Sequence, residues 1–341
     1  MTQYFPKVYI DENTTDITQN SNDIVAKPGY NFILNGDMMI SQRGTYTSPV
    51  STSNTVYNLD RWKSYSDYSG TAVTMTVQQI GSAQPSSLPN GKSIRYTLTN
   101  VGGVPLGRIG CYQYIEDISY LQGKEVTLSA WVKSNTTKVH FMLNCTSTSF
   151  STYSYTDVGN WQLITVTGTV PTSGVTSIRA WIRLSSSEAG DIALDQGDYV
   201  EMTAAMLTIG KPRQFEPRSL SLELLLCQRY YEKSYPIATP PGSDAVSDGC
   251  LWIPERLSVP HNSWLGFITY RITKYKIPTI TMYSWSGNPG RCSNTSGVEQ
   301  GANSALTVWT GTNNCVIRNY SGVTISSSGG WICHYTADAE F

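Results

Sequence analysis

Three histidines, seven cysteines and a scatter of carboxylates hold whatever proton-transfer, nucleophilic or metal chemistry these 341 residues offer. His140, His261 and His334 stand apart, and none lies in an HExxH pattern, which argues against a histidine metal centre. Cys111, Cys145, Cys227, Cys250, Cys292, Cys315 and Cys333 include no CxxC pair, since the closest two are Cys315 and Cys333. A zinc ribbon or a dithiol redox site is therefore not expected, and the thiols read as reduced and mostly buried. No GxSxG, P-loop or GxGxxG is present, because Gly102, Gly103, Gly107 and Gly110 have the wrong spacing and no following helix. Glu116, Asp117, Glu188, Asp191, Asp195 and Asp198 can be paired on paper as a glycosidase would need, but in Gly-rich loops they read as solvated turn acids. Asp191, Asp195 and Asp198 together are a candidate structural calcium site, hard oxygens clustered on one loop. No catalytic residue and no cofactor is expected.

Aromatic rings are what the sequence offers instead. Tyr (22) and Trp (9) far outnumber Phe (7), which favours rings that keep a polar edge toward water. Charged residues make up only 14%, against roughly 25% in an average soluble protein. With 24 basic and 25 acidic side chains there is no cationic excess to neutralise phosphates, so nucleic acid is not an expected partner. Residues 1 to 16 carry Asp11, Glu12 and Asp16 and no apolar run, so neither a secretory signal nor membrane insertion is expected there.

The elements that must position these rings are strands. Residues 1–28 are polar and aperiodic and read as an arm that orders on a partner. Residues 29–215 alternate with period two, giving inward sets Val126, Leu128, Ala130, Val132 and Ile178, Ala180, Ile182, Leu184. This predicts an antiparallel two-sheet sandwich, with a jelly roll as the favoured topology. Within residues 216–234 the run 219–233 predicts one helix, capped by Ser219 and ended by Pro236, long enough at about 1.5 Å per residue to join two domains. Residues 235–341 again read as strands, Phe267 to Ile272, Thr279 to Tyr283, Leu306 to Trp309, Val316 to Ile317 and Trp331 to Tyr335, forming a smaller C-terminal β-sandwich. The fold class is all-β.

Strand parity turns Trp131 outward beside Lys133, and Trp181 outward between Arg179 and Arg183. If the two strands share a sheet, they form a ring platform for sugars, or alternatively a subunit contact. Trp252, Trp264, Trp285 and Trp309 lie among Gly, Ser and Asn in the C-terminal part, where receptor contact is expected. Trp285, next to a Pro-Gly turn, is the ring expected to reach solvent, whereas Trp309 also fits a strand with its ring in the core.

Asn35-Gly36-Asp37, Gln42-Arg43-Gly44 and Leu59-Asp60-Arg61-Trp62 resemble the opening of the carbohydrate-binding-module-like domain of bacteriophage tail fibres and related virion proteins. Gly123 to Lys133 is similar to that domain's central strand, Phe215-Glu216-Pro217-Arg218 with Cys227 to Tyr231 to the following junction, and Pro278-Thr279 and Tyr335 to Phe341 to phage fibre carboxyl ends. Leu207-Thr208-Ile209-Gly210 departs from it, lacking the family's acidic residue after Leu. The resemblance implies a non-enzymatic fibre or adhesin, a homotrimer on the virion surface that meets host cell-surface glycans. Residues 1–28 would contact other virion proteins, with assembly in the host cytoplasm. Apolar residues nearly all round Leu220 to Leu226 also point to a homotrimer. The alternative is a capsid-decorating or tail-assembly protein whose glycan-binding fold is vestigial.

Overall fold

A computed structural model of the chain describes residues 30–44, 50–52, 56–67, 74–81, 83–88, 90–100, 108–185, 194–253, 264–294, 299–300, 306–319 and 331–341. Expectations for the arm 1–28, Glu188, Asp191 and His261 fall outside these residues. Twelve strands carry the first part: β1 Val50–Thr52, β2 Tyr57–Leu59, β3 Trp62–Asp67, β4 Thr74–Ile80, β5 Ser93–Asn100, β6 Arg108–Ile115, β7 Glu125–Ser134, β8 Val139–Cys145, β9 Thr148–Thr152, β10 Gln162–Thr169, β11 Ile178–Ser185 and β12 Tyr199–Ile209. They build two six-stranded antiparallel sheets, β1-β4-β5-β12-β7-β10 and β2-β3-β6-β11-β8-β9. Both inward sets predicted from parity are buried in the shared core, where Val126, Leu128, Ala130 and Val132 of the first sheet meet Ile178, Ala180, Ile182 and Leu184 of the second. The expected all-β, two-sheet sandwich is what the chain adopts.

The one α-helix among the described residues is shorter than predicted. Helix α1 runs Leu220–Gln228, with the Ser219 hydroxyl accepting from the Leu222 N–H as expected of a cap. It ends well before Pro236 because Tyr231–Lys233 leaves as strand β13, pairing with the last strand. The register of a sheet edge here overrides helix propensity. The buried residues of α1 are Glu223, Cys227 and Gln228, while Leu220, Leu222 and Leu225 are exposed.

The remaining strands are β14 Leu251–Ile253, β15 Trp264–Thr269, β16 Thr279–Tyr283, β17 Cys292–Asn294, β18 Glu299–Gln300, β19 Leu306–Thr310, β20 Asn314–Asn319 and β21 Trp331–Asp338. Strand β21 is the hub, pairing with β13, β14, β16 and β17, and β15-β20-β19 forms a separate three-stranded sheet. A second core of Ile268, Ile317 and Cys315 from the small sheet and Met282, Trp331, Cys333 and Tyr335 from the larger one lies between them.

Polar residues weld the two parts. Arg61, in the left-handed conformation at φ +71° between β2 and β3, pairs with Glu340, donates to the Tyr114 carbonyl at 2.7 Å and lies 3.5 Å from the Tyr230 ring centroid. Arg43 reaches Asp338 at 3.3 Å, Gln42 donates to the Tyr231 carbonyl at 2.7 Å, and Arg229 holds Glu116 with Nε to Oε2 at 3.0 Å. Gly36 passes so close to β12 that a Cβ there would sit 2.2 Å from the Ala205 carbonyl oxygen. Gln42, Arg43 and Arg61 of the opening motifs thus meet the C-terminal part at the joint of the molecule.

Candidate functional site

Alternation along β3, β6, β11, β8 and β9 assigns every second residue to the outer face of the second sheet, and antiparallel register lines them up in rows. The middle row is Lys63, Tyr112, Trp181, Met142 and Ser151. On one side of it stand Tyr114, Arg179, Asn144 and Ser149, and on the other Tyr65, Gly110, Arg183 and His140. Gly110 leaves a gap in the grid, for a Cβ there would lie 2.2 Å from the Ile182 carbonyl oxygen. Next to that gap the Tyr65 ring stands edge-on to Trp181, centroids 4.8 Å apart.

The rings form one cluster. Tyr112 stacks on Trp181 at 4.2 Å and meets Tyr114 edge-on at 5.4 Å, and Tyr114 in turn stacks on Phe341 at 4.9 Å. Trp181 is only 5% exposed, while Tyr65, Tyr114, Lys63 and Arg179 are half-buried and form the accessible surface around it. The Trp181 indole N–H finds no hydrogen-bond acceptor among the described residues. Arg179 and Arg183 lie 5.4 Å and 5.2 Å from its ring centroid. Arg179 also donates from Nε and Nη2 to Asn144 Oδ1 at 3.2 Å and 2.7 Å, and Arg183 donates from Nε to His140 Nδ1 at 3.1 Å. Burial pushes the Tyr112 phenol up to about 12, so its hydroxyl stays protonated at neutral pH.

Trp131 and Trp181 do not share a sheet. Trp131 is on β7 of the first sheet, opposite Leu163 and Thr203, so the platform expected to combine them does not form. Parity placed both rings outward correctly, but a sandwich has two outer faces and strand order decides which one. Trp131 instead lines a groove of about 370 Å³ with Leu88, Leu163, Pro212 and Phe215. Lys138 Nζ lies 3.4 Å from Asp198 and 3.8 Å from Asp195, so an ammonium group serves two of the three calcium candidates. Among the described residues no group of three or more His, Cys, Asp or Glu side chains is arranged to hold a metal.

The C-terminal tryptophans are spread over different strands. Trp252 on β14 is 63% exposed opposite Ile332. Trp309 on β19 is 55% exposed, not in the core, and flanks Val316 with Phe267 on the other side, itself 74% exposed. Trp264 opens β15 opposite Arg318. Trp285 is half-buried, its backbone N–H donating to Ser293 Oγ at 2.9 Å and its carbonyl accepting from the Ala245 N–H at 2.9 Å. Sequence reasoning missed Lys63, Tyr65, Tyr112, Tyr114 and Asn144. The signal was available in Ile109-Gly110-Cys111-Tyr112, where the same period two that exposed Trp181 sets the tyrosines on the outer parity.

No family model matches this sequence, and no curated protein does either. Among solved structures the chain is similar to a family 4 carbohydrate-binding module (14% identity, 49% of this chain and 98% of that one, TM-score 0.31). It is also similar to the CBM22-2 xylan-binding domain of Paenibacillus barcinonensis Xyn10C (14%, 47% and 99%, 0.31). A third is TmCBM61 in complex with β-1,4-galactotriose (12%, 53% and 100%, 0.30).

Proposed function

We propose that this chain is a non-catalytic glycan-binding protein serving as a virion fibre or adhesin, and that the outer face of the second sheet holds the sugar. The observation that carries this reading is the Tyr65, Tyr112, Trp181 and Tyr114 ring cluster, fixed by cross-strand register and edged by Lys63, Arg179 and Asn144. Ring faces stack on the C–H faces of pyranoses, and amide and guanidinium groups at the rim take hydroxyls, while the sandwich keeps the platform rigid. The virion role is supported by the resemblance of the motifs between Asn35 and Trp62 and of Tyr335 to Phe341 to phage fibre proteins. The homotrimer is supported by Leu220, Leu222 and Leu225, an apolar surface that a second and third copy would cover.

The test is adsorption of the purified, fluorescently labelled protein to host cells. Periodate oxidation of the cell surface should abolish it, and Tyr65→Ala and Tyr114→Ala should each weaken it at least about tenfold, a loss of about 1.4 kcal/mol within the range for aromatic contacts. If Trp309→Ala abolishes adsorption while the tyrosine variants retain it, the site moves to the C-terminal sheet. Adsorption that survives periodate removes the glycan reading, and immunogold labelling of virions separates a fibre from a capsid-decorating protein.

A further inference from the structure

The outer face of the second sheet carries four cationic side chains, and they are not equivalent. Arg183 is buried, with its Nε engaged by His140, and Arg108 stands at the rim in register with Asp67. Lys63 and Arg179 differ from both. Each is half-buried, and neither forms an ion pair among the described residues. Lys63 is next to Tyr112 in the middle row, its Nζ 5.4 Å from the Tyr57 centroid, and Arg179 lies across β6 in the neighbouring row. At about 4.8 Å per strand and about 6.8 Å per row, the two cations stand roughly 12 Å apart on a diagonal across Tyr112, with Trp181 beside Arg179 on the same strand.

Three carboxylates of the described residues beyond this face are already engaged. Glu116 is held by Arg229 and Tyr230, Glu340 by Arg61, and Asp338 by Arg43. The full sequence carries a formal charge of −1, so the positive face is a local segregation and not a property of the whole chain. Arg179 is also preorganised, because Nε and Nη2 share the single Asn144 oxygen, which fixes the guanidinium beside the rings and leaves the rest of its N–H fork for an incoming acceptor. A cation desolvated between aromatic rings without a counter-charge gains most from a ligand that supplies one.

We infer that this face selects carboxylated sugars, uronic or sialic acids, with the sugar ring on the Tyr and Trp cluster, the carboxylate on Arg179, and Lys63 taking a second acidic unit. This rests on the glycan reading above and narrows it to acidic polysaccharides. The experiment is binding of the full-length protein to polygalacturonate, alginate, polysialate, dextran and galactomannan, each acidic one also in the form whose carboxyl groups have been reduced to alcohols. Binding to one or more acidic polymers is expected. It should fall at least about tenfold on carboxyl reduction and by a similar factor in Arg179→Gln, the range of one charged hydrogen bond. Arg179→Lys should recover part of it, and Lys63→Gln should reduce its salt dependence. Binding to a neutral polymer, or binding that survives carboxyl reduction, overturns the acidic preference and leaves the glycan reading intact. Binding to none of the polymers, together with periodate-resistant adsorption to cells, overturns both.

Discussion

Arg61 occupies backbone space that an arginine seldom enters, at φ +71° and 1% exposed. Burial alone would lower its pKa, but the Glu340 carboxylate outweighs this and holds it raised. The charge is tolerable only because Glu340, itself buried, neutralises it and Tyr230 and the Tyr114 carbonyl surround it. Glu340→Gln is therefore expected to cost about 3 to 5 kcal/mol in guanidinium denaturation, the penalty of stranding one half of a buried pair. Gly110 is constrained for a different reason. It sits at φ +154° with the β11 backbone against it, so any side chain must push β6 off its neighbour. Gly110→Ala should destabilise by about 1 to 3 kcal/mol, read as a fall in melting temperature, and should weaken the proposed glycan binding because the Tyr112 and Trp181 stack spans the same two strands.

At the scale of elements, α1 shows why an apolar pattern does not say which face is inside. Leu220, Leu222 and Leu225 point outward, and the helix docks through Glu223, which Arg218 holds at 2.9 Å, and through Cys227 and Gln228. Replacing Leu220, Leu222 and Leu225 by Ser should change the stability of the folded chain by no more than about 0.5 kcal/mol per site, as for other surface positions. The same triple change should convert a particle of three times 37.6 kDa into one of that mass by light scattering, if these leucines are the subunit contact. A parent protein already monomeric at micromolar concentration would exclude the trimer.

For the whole molecule, the ion pairs and hydrogen bonds across the joint couple two cores that each look self-sufficient, so a single cooperative unfolding transition is expected at neutral pH. Acid should separate them. His334, buried on β21, accepts from the Ser234 hydroxyl on Nδ1 at 2.9 Å and donates from Nε2 to the Val246 carbonyl at 2.8 Å. Burial lowers its pKa below the usual 6.5, so the unfolded chain binds the proton more readily than the folded one. Its contribution to stability is complete above that pH and is lost as pH falls through the lower folded value. Calorimetry between about pH 7 and pH 5 should show the C-terminal part melting earlier as pH falls, and His334→Gln should flatten that dependence. Unchanged curves for the parent protein would show that the imidazole titrates equally in both states.

Period-two alternation was legible along the chain because each strand buries one face whatever its partners, so the inward sets of β7 and β11 and the outward parity of Trp131 and Trp181 followed from sequence alone. The cap at Ser219 was legible for the same local reason. Which outward rings meet was not, because that depends on strand order, and the order separates β7 from β11 into different sheets while placing β6 and β8 on either side of β11. Nor did the sequence disclose that Asn35, Gln42, Arg61 and Glu340 converge, since the joint pairs residues from opposite ends of the chain. Local physics decides parity and caps within a few residues. Only long-range register decides which side chains share a face, and the candidate site is made of such neighbours.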